Sequence, residues 1–127
     1  GRANLLTDYQ HPPTCVTSEF PLRLMALSTA QAQASQWPSE KQQGPAVLTV
    51  HPSVAGNYQE GDVVEIESEL GRLEVGLKFD SSQRADVALM DKGGWVSQGR
   101  CANLITPAEL TDHGQCAVYY ETPVKIL

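Results

Sequence analysis

Apolar residues return at every second position along several short stretches of this chain, the period of strands standing between a core and solvent. In "FPLRLMAL", residues 20–27, Leu22, Leu24 and Ala26 alternate with Arg23, Met25 and Leu27, which predicts a largely buried strand. "AVLTVHP" (46–52) predicts a second strand. Pro52 cannot donate to a ladder and is suited to open a short helical turn over 53–58. "EGDVVEIESELGRLEV" (60–75) reads as a hairpin entered through a Gly61-Asp62 turn. Val64, Ile66 and Ser68 share one face, while Val63, Glu65, Glu67 and Glu69 take the wet one. Gly71 is expected to reverse the chain at a positive φ, and "RLEVGLKFD" (72–80) returns with Leu73, Val75, Leu77 and Phe79 on one face. "ADVALM" (85–90) is another apolar strand, and "CAVYYETPVKIL" (116–127) supplies the closing strands.

Two stretches break the alternation. Residues 28–45 are polar and amide-rich, with room for a helical turn near 30–36 before Pro38 and Gly44-Pro45 force a loop. A connection this long and polar is usually functional or disordered. Residues 91–106 form a glycine-rich segment around Trp95. Thr106-Pro107-Ala108-Glu109 then predicts a helix over 107–113, with Thr as N-cap, Pro at the first position, Glu completing a capping box and Gly114 as the stop. Residues 1–19 lack periodicity and read as an extended arm or linker from a preceding domain, leaving 20–127 as the domain proper. Six or so strands with short helical turns predict a mainly β protein closed into a small barrel, because closure removes exposed strand edges.

Composition narrows the function classes. The 127 residues, 41% hydrophobic, suit one domain with its own core. A net charge of −6 with only nine Lys and Arg leaves no footprint for a phosphate backbone, so nucleic acid is not an expected partner. No apolar run is long enough for direct membrane insertion, and the first residues do not read as a signal peptide. Cys15, Cys101 and Cys116 are widely spaced and encode neither a zinc cluster nor a disulfide framework. They read as small buried thiols, and a cytoplasmic home fits them better than a periplasmic one, which would require an export signal on a longer parent. His11, His51 and His113 stand alone in sequence and take no metal or catalytic role; Asp80, Asp86 and Asp91 with Glu65, Glu67 and Glu69 read as a solvated face.

The order of parts is itself informative. "VHPSVA", "EGDVVEIESELGRLEV", "GGWVSQGRCANLIT" and "TDHGQCAVYYETPVKI" together resemble the C-terminal molybdopterin-dinucleotide-binding domain of the molybdopterin oxidoreductases, the family of formate dehydrogenases, nitrate reductases and dimethyl sulfoxide reductase. The resemblance covers roughly residues 20–127 and implies a six-stranded double-psi β-barrel of the aspartate-decarboxylase-like type. It also implies a lid over the pterin and nucleotide ends of a molybdopterin guanine dinucleotide carrying molybdenum or tungsten. Preceding catalytic domains would supply the metal ligand and the substrate funnel. An iron–sulfur cluster would lie in those domains, and an iron–sulfur electron-transfer partner is a further expectation. This fragment alone would not be catalytic.

By matching positions, the resemblance places Ser35, Gln36 and Trp37 where the family has a His-Ser-Gln-aromatic loop against the pterin, and makes Asn103 a cofactor contact; Ser28 and Thr29 in the first loop and Trp95, Gln115 and Tyr120 in the late segment are further candidate cofactor contacts. Ala34 stands where the family carries a histidine, and Ser28-Thr29-Ala30 where a Thr-Gly-Arg-like start is frequent. These residue types suit the ligand, since flat amide-rich heterocycles take neutral hydrogen-bonding partners and a diphosphate takes N–H donors and hydroxyls. Each has a plainer reading too. Asn103 is the kind of residue that satisfies a turn, Trp95 is first a plug for the barrel, and of Tyr119 and Tyr120 one faces the core. A barrel of this topology can also be a stand-alone protein-interaction module, as in N-terminal domains of some AAA ATPases. Self-cleavage of the aspartate-decarboxylase kind is excluded, because no Gly-Ser bond occurs.

Overall fold

The computed structural model describes residues 15–30, 33–34, 36–111 and 114–127. Six strands form: β1 (Leu22–Leu27), β2 (Ala46–Val50), β3 (Val63–Ser68), β4 (Gly71–Phe79), β5 (Val87–Asp91) and β6 (Thr122–Ile126). They close into one barrel in the order β1-β5-β2-β4-β3-β6. The pairs β1–β5 and β2–β4 are parallel and all other neighbours antiparallel. The expected mainly β, six-stranded barrel is therefore the observed one.

The two-residue period decides what fills it. Leu22, Leu24 and Ala26 of β1, Ala46, Leu48 and Val50 of β2, Val64 and Ile66 of β3, and Leu73, Val75 and Leu77 of β4 all point inward. Ala88, Met90 and Val124 complete the core from β5 and β6. Leu24, Leu48, Val50, Ile66 and Val75 are fully buried, and each such side chain contributes roughly 1.5–3 kcal/mol of burial free energy. The Gly61-Asp62 turn forms as expected: Gly61 takes a φ of 93°, its N–H donates to the Leu77 carbonyl, and the Leu77 N–H donates to the Asp62 carbonyl. Pro52 opens a 3-10 turn over Pro52–Val54, capped by the His51 ring, whose Nδ1 accepts from the Ser53 N–H at 3.2 Å.

The register fixes which loops share an end. Because β1 and β5 are parallel, they finish at the same end of the barrel. Because β2 runs against β5 and β6 against β1, those two strands begin there. Residues 28–45 and 92–121 therefore both leave and return at one rim, joined by the Glu69-Leu70 turn between β3 and β4. Residues 51–62 and 80–86 connect strands at the opposite end.

Several expectations are corrected. Residues 107–111 form no helix: Leu110 bridges Ala117, the Thr111 N–H donates to the Cys116 carbonyl at 2.7 Å, and the Val118 N–H donates to the Glu109 carbonyl. This is a hairpin-like excursion, reversed where Gly114 (φ 83°) and Gln115 (φ 49°) are both left-handed, and two such residues in succession turn strands back instead of ending a helix. Asp112 and His113 lie outside the described residues. Thr106 does not cap; its N–H and Oγ1 both bond the Ala102 carbonyl behind it. Gly71 is not at a positive φ. It opens β4, and a Cβ there would sit 2.9 Å from the Leu104 carbonyl oxygen, so the glycine is required by close approach. Past Cys116 only β6 is a strand. The helical turn expected near 30–36 falls partly on residues that are not described; the turn seen in that loop is a 3-10 turn at Ser39–Lys41. Cys101 is buried, but Cys116 is exposed, and all three cysteines are free.

Candidate functional site

Seven of the eight residues assigned to cofactor contact are described, and all seven belong to the two loops that share the rim; Ser35 lies outside the described residues. Ser28, Gln36, Asn103 and Gln115 are exposed and Thr29 is half-buried. Asn103 sits within the 3-10 turn Ala102–Leu104, whose neighbour Ala102 anchors it in the core. It lines a groove of about 400 Å³ between that turn and the hairpin-like excursion, together with Glu109, Leu110 and Tyr119. The other six do not line this groove.

The two aromatic expectations divide. Trp95 is 40% exposed and so does not plug the barrel; the buried indole is Trp37, at 7%. Tyr119 packs on the core and forms an edge-on pair with Tyr120, ring centres 6.2 Å apart, while Tyr120 is 45% exposed. Lys92 lies over the Tyr119 ring at 5.2 Å. Among the described residues, Leu70, Val96 and Leu110 join Trp95 and Tyr120 as large apolar side chains exposed on segments springing from this rim. Val47, Tyr58, Val63 and Leu127 are exposed elsewhere on the barrel.

Two residues that the sequence does not single out, Gln42 and Arg100, hold the loops together. Gln42 is 1% exposed. Its Nε2 donates to the Trp37 carbonyl at 2.9 Å and its Oε1 accepts the Trp95 N–H at 2.8 Å. Arg100 donates to the Gln43 carbonyl at 2.8 Å and stacks over the Trp37 ring at 5.8 Å. Gly93 meets the Ala34 carbonyl so closely that a Cβ has no place, and Ala34 is itself left-handed at φ 46°. Asp91, at the end of β5, departs from the solvated face expected of it: burial pushes its carboxyl up, against a weaker downward pull from Arg100. Among the described residues, no cluster of His, Cys, Asp or Glu is arranged to hold a metal ion, and no helix is long and apolar enough to cross a membrane.

The rim thus offers neutral amides, hydroxyls and open rings, the donor set that suits a pterin or a guanine. No curated protein matches the chain closely. Among solved structures it is similar to acetylene hydratase from Pelobacter acetylenicus, with a TM-score of 0.75 and 18% identity, over 93% of this chain and 20% of that one. That likeness establishes the fold, and the chain spans about a fifth of the neighbour's length. The molybdopterin dinucleotide binding domain family matches residues 23–123, from β1 into β6 and across both rim loops. The chain belongs to that family and is a molybdopterin-dinucleotide-binding domain.

Proposed function

We propose that this domain closes over the pterin and guanine-nucleotide parts of a molybdopterin guanine dinucleotide within a larger molybdopterin-dependent oxidoreductase of the formate dehydrogenase, nitrate reductase and dimethyl sulfoxide reductase kind. The observation that carries the proposal is the return of both long loops to one rim, where exposed amides and rings gather while the rest of the barrel is conventional scaffold. Asn103, Gln36, Ser28, Thr29 and Gln115 would meet heterocycle edges and phosphate oxygens, with Ser35 beside them in sequence, and Trp95 and Tyr120 would cover ring faces. The bound group supplies the redox chemistry through its molybdenum or tungsten; the residues here bind it, orient it and keep water from it.

Preceding domains of the parent, reached through residues 1–19, would provide the metal ligand, the substrate funnel and any iron–sulfur cluster, with an iron–sulfur protein as electron-transfer partner. Three free cysteines suit a cytoplasmic parent. The fold neighbour is named as a hydratase, so the redox assignment rests on the sequence resemblance and the barrel is compatible with either reaction class.

The test is Asn103→Ala in the full-length protein. Asn103 is exposed on a 3-10 turn, so folding should be unaffected. Loss of an amide contact should weaken cofactor retention by about 1–3 kcal/mol. Equal molybdenum or tungsten content in variant and wild type would remove Asn103 from the site.

A further inference from the structure

Gln42 occupies an unusual position for a loop glutamine. It is almost wholly buried, and its single amide joins two segments far apart in sequence. One end holds the carbonyl of Trp37, the residue after Gln36; the other holds the N–H of Trp95. Gln36 and Trp95 come from different rim loops, and both are assigned to cofactor contact. Only one amide orientation works, because exchanging Oε1 and Nε2 would set donor against donor and acceptor against acceptor. Gln and Asn carry a donor and an acceptor side by side on one planar amide, and Asn is a methylene shorter. Each backbone group gains a partner from this amide, and a shielded peptide N–H or C=O that loses a partner is costly.

Neighbouring contacts point the same way. Arg100, from the second loop, grips the Gln43 carbonyl of the first, and Gly93 receives the Ala34 carbonyl. Among the described residues, Gln42 and Arg100 tie the two loops by hydrogen bonds and Gly93 abuts Ala34, and Gln42 sets the backbone beside candidate ligand contacts on both sides.

We infer that Gln42 is a positioning residue that locks the two cofactor loops into a single preorganised rim. The inference rests on the cofactor-binding role proposed above. Preorganised loops release a ligand slowly, because the cost of ordering them has already been met by the fold.

The experiment compares wild type, Gln42→Met and Val50→Ala in the full-length protein. Met keeps the side-chain length and volume of Gln but offers neither bond. Val50 is fully buried in β2 at the barrel end away from the rim, so its truncation lowers melting temperature without touching the loops. Cofactor release is followed as guanine nucleotide and metal lost on dialysis, and loop order as hydrogen exchange of peptides covering residues 36–45 and 93–100. Gln42→Met should release cofactor roughly tenfold faster and exchange faster in both peptides. Val50→Ala should retain cofactor at an equal or larger drop in melting temperature. Wild-type release and exchange in Gln42→Met, or equal cofactor loss in Val50→Ala, would overturn the inference. A wild-type protein carrying no pterin nucleotide would instead overturn the proposed function, and with it the cofactor role of Gln42; the exchange comparison would then still show whether the residue joins the loops.

Discussion

Gly93 has no room for even a methyl group. Its φ of 94° strains any other residue, and an added Cβ would fall on the Ala34 carbonyl. Gly93→Ala should therefore push the first loop off the second and cost about 1–3 kcal/mol, read as a lower melting temperature together with faster exchange in residues 36–45. At Gly71 the same class of substitution acts by another route. Alanine or valine there meets the Leu104 carbonyl, forcing the Ala102–Leu104 turn and hence Asn103 outward. Single residues were unevenly legible in the sequence. Asn103 and Tyr120 stand out by type and order, but "KQQGP" gives no sign that Gln42 is buried while Gln43 is exposed, because only the folded loops decide which amide faces inward. Trp37 is covered and Trp95 open for the same reason: two indoles in polar loops look alike in sequence until the folded loops bury one of them.

At the scale of elements, the strands could be read because a closed barrel enforces alternation, and a slip of one residue would turn a whole inward face to solvent. The region 107–118 could not. Its Thr-Pro-Ala-Glu signal is a genuine local preference for helix starts, yet the segment has no apolar stripe to bury, and a Leu110–Ala117 bridge with two left-handed residues prevailed. The outer face of β3, β4 and β6 shows what cross-strand register does for charge. Glu67 lies opposite Arg72 on one side and Lys125 on the other, and accepts from Lys125 Nζ at 2.7 Å and Arg72 Nε at 2.8 Å. The Lys125 hydrogen bond first, and Arg72 next, hold its carboxyl below the ordinary value of 4.5. A depressed carboxyl stabilises the fold fully above that ordinary value and loses the effect as pH falls through the folded value. Glu67→Gln should consequently melt lower than wild type at pH 7, and the gap should narrow in strong acid; a gap independent of pH would mean that the three charges are not coupled.

Across the whole molecule the barrel is polarised. One end carries the shorter connections 51–62 and 80–86, with Tyr58 and Val63 exposed, and the other carries both longer loops with Leu70, Trp95, Val96, Leu110 and Tyr120 exposed on segments that spring from it. Exposed apolar surface of this kind is a liability in isolation and an asset beneath a neighbouring domain. Leu110→Ser with Val96→Ser should raise the concentration at which the isolated domain begins to scatter light while leaving its melting temperature within about 1 °C, since neither side chain belongs to the core. An unchanged threshold would show that these residues are not what makes the rim adhesive.

Loops that leave and return on the same rim have a further consequence, for evolution. Residues can be added to or removed from 28–45 or 92–121 without shifting any strand against its partner, because neither loop has to span the barrel. A lineage can thus retune what the rim grips, position by position, while inheriting the interior intact.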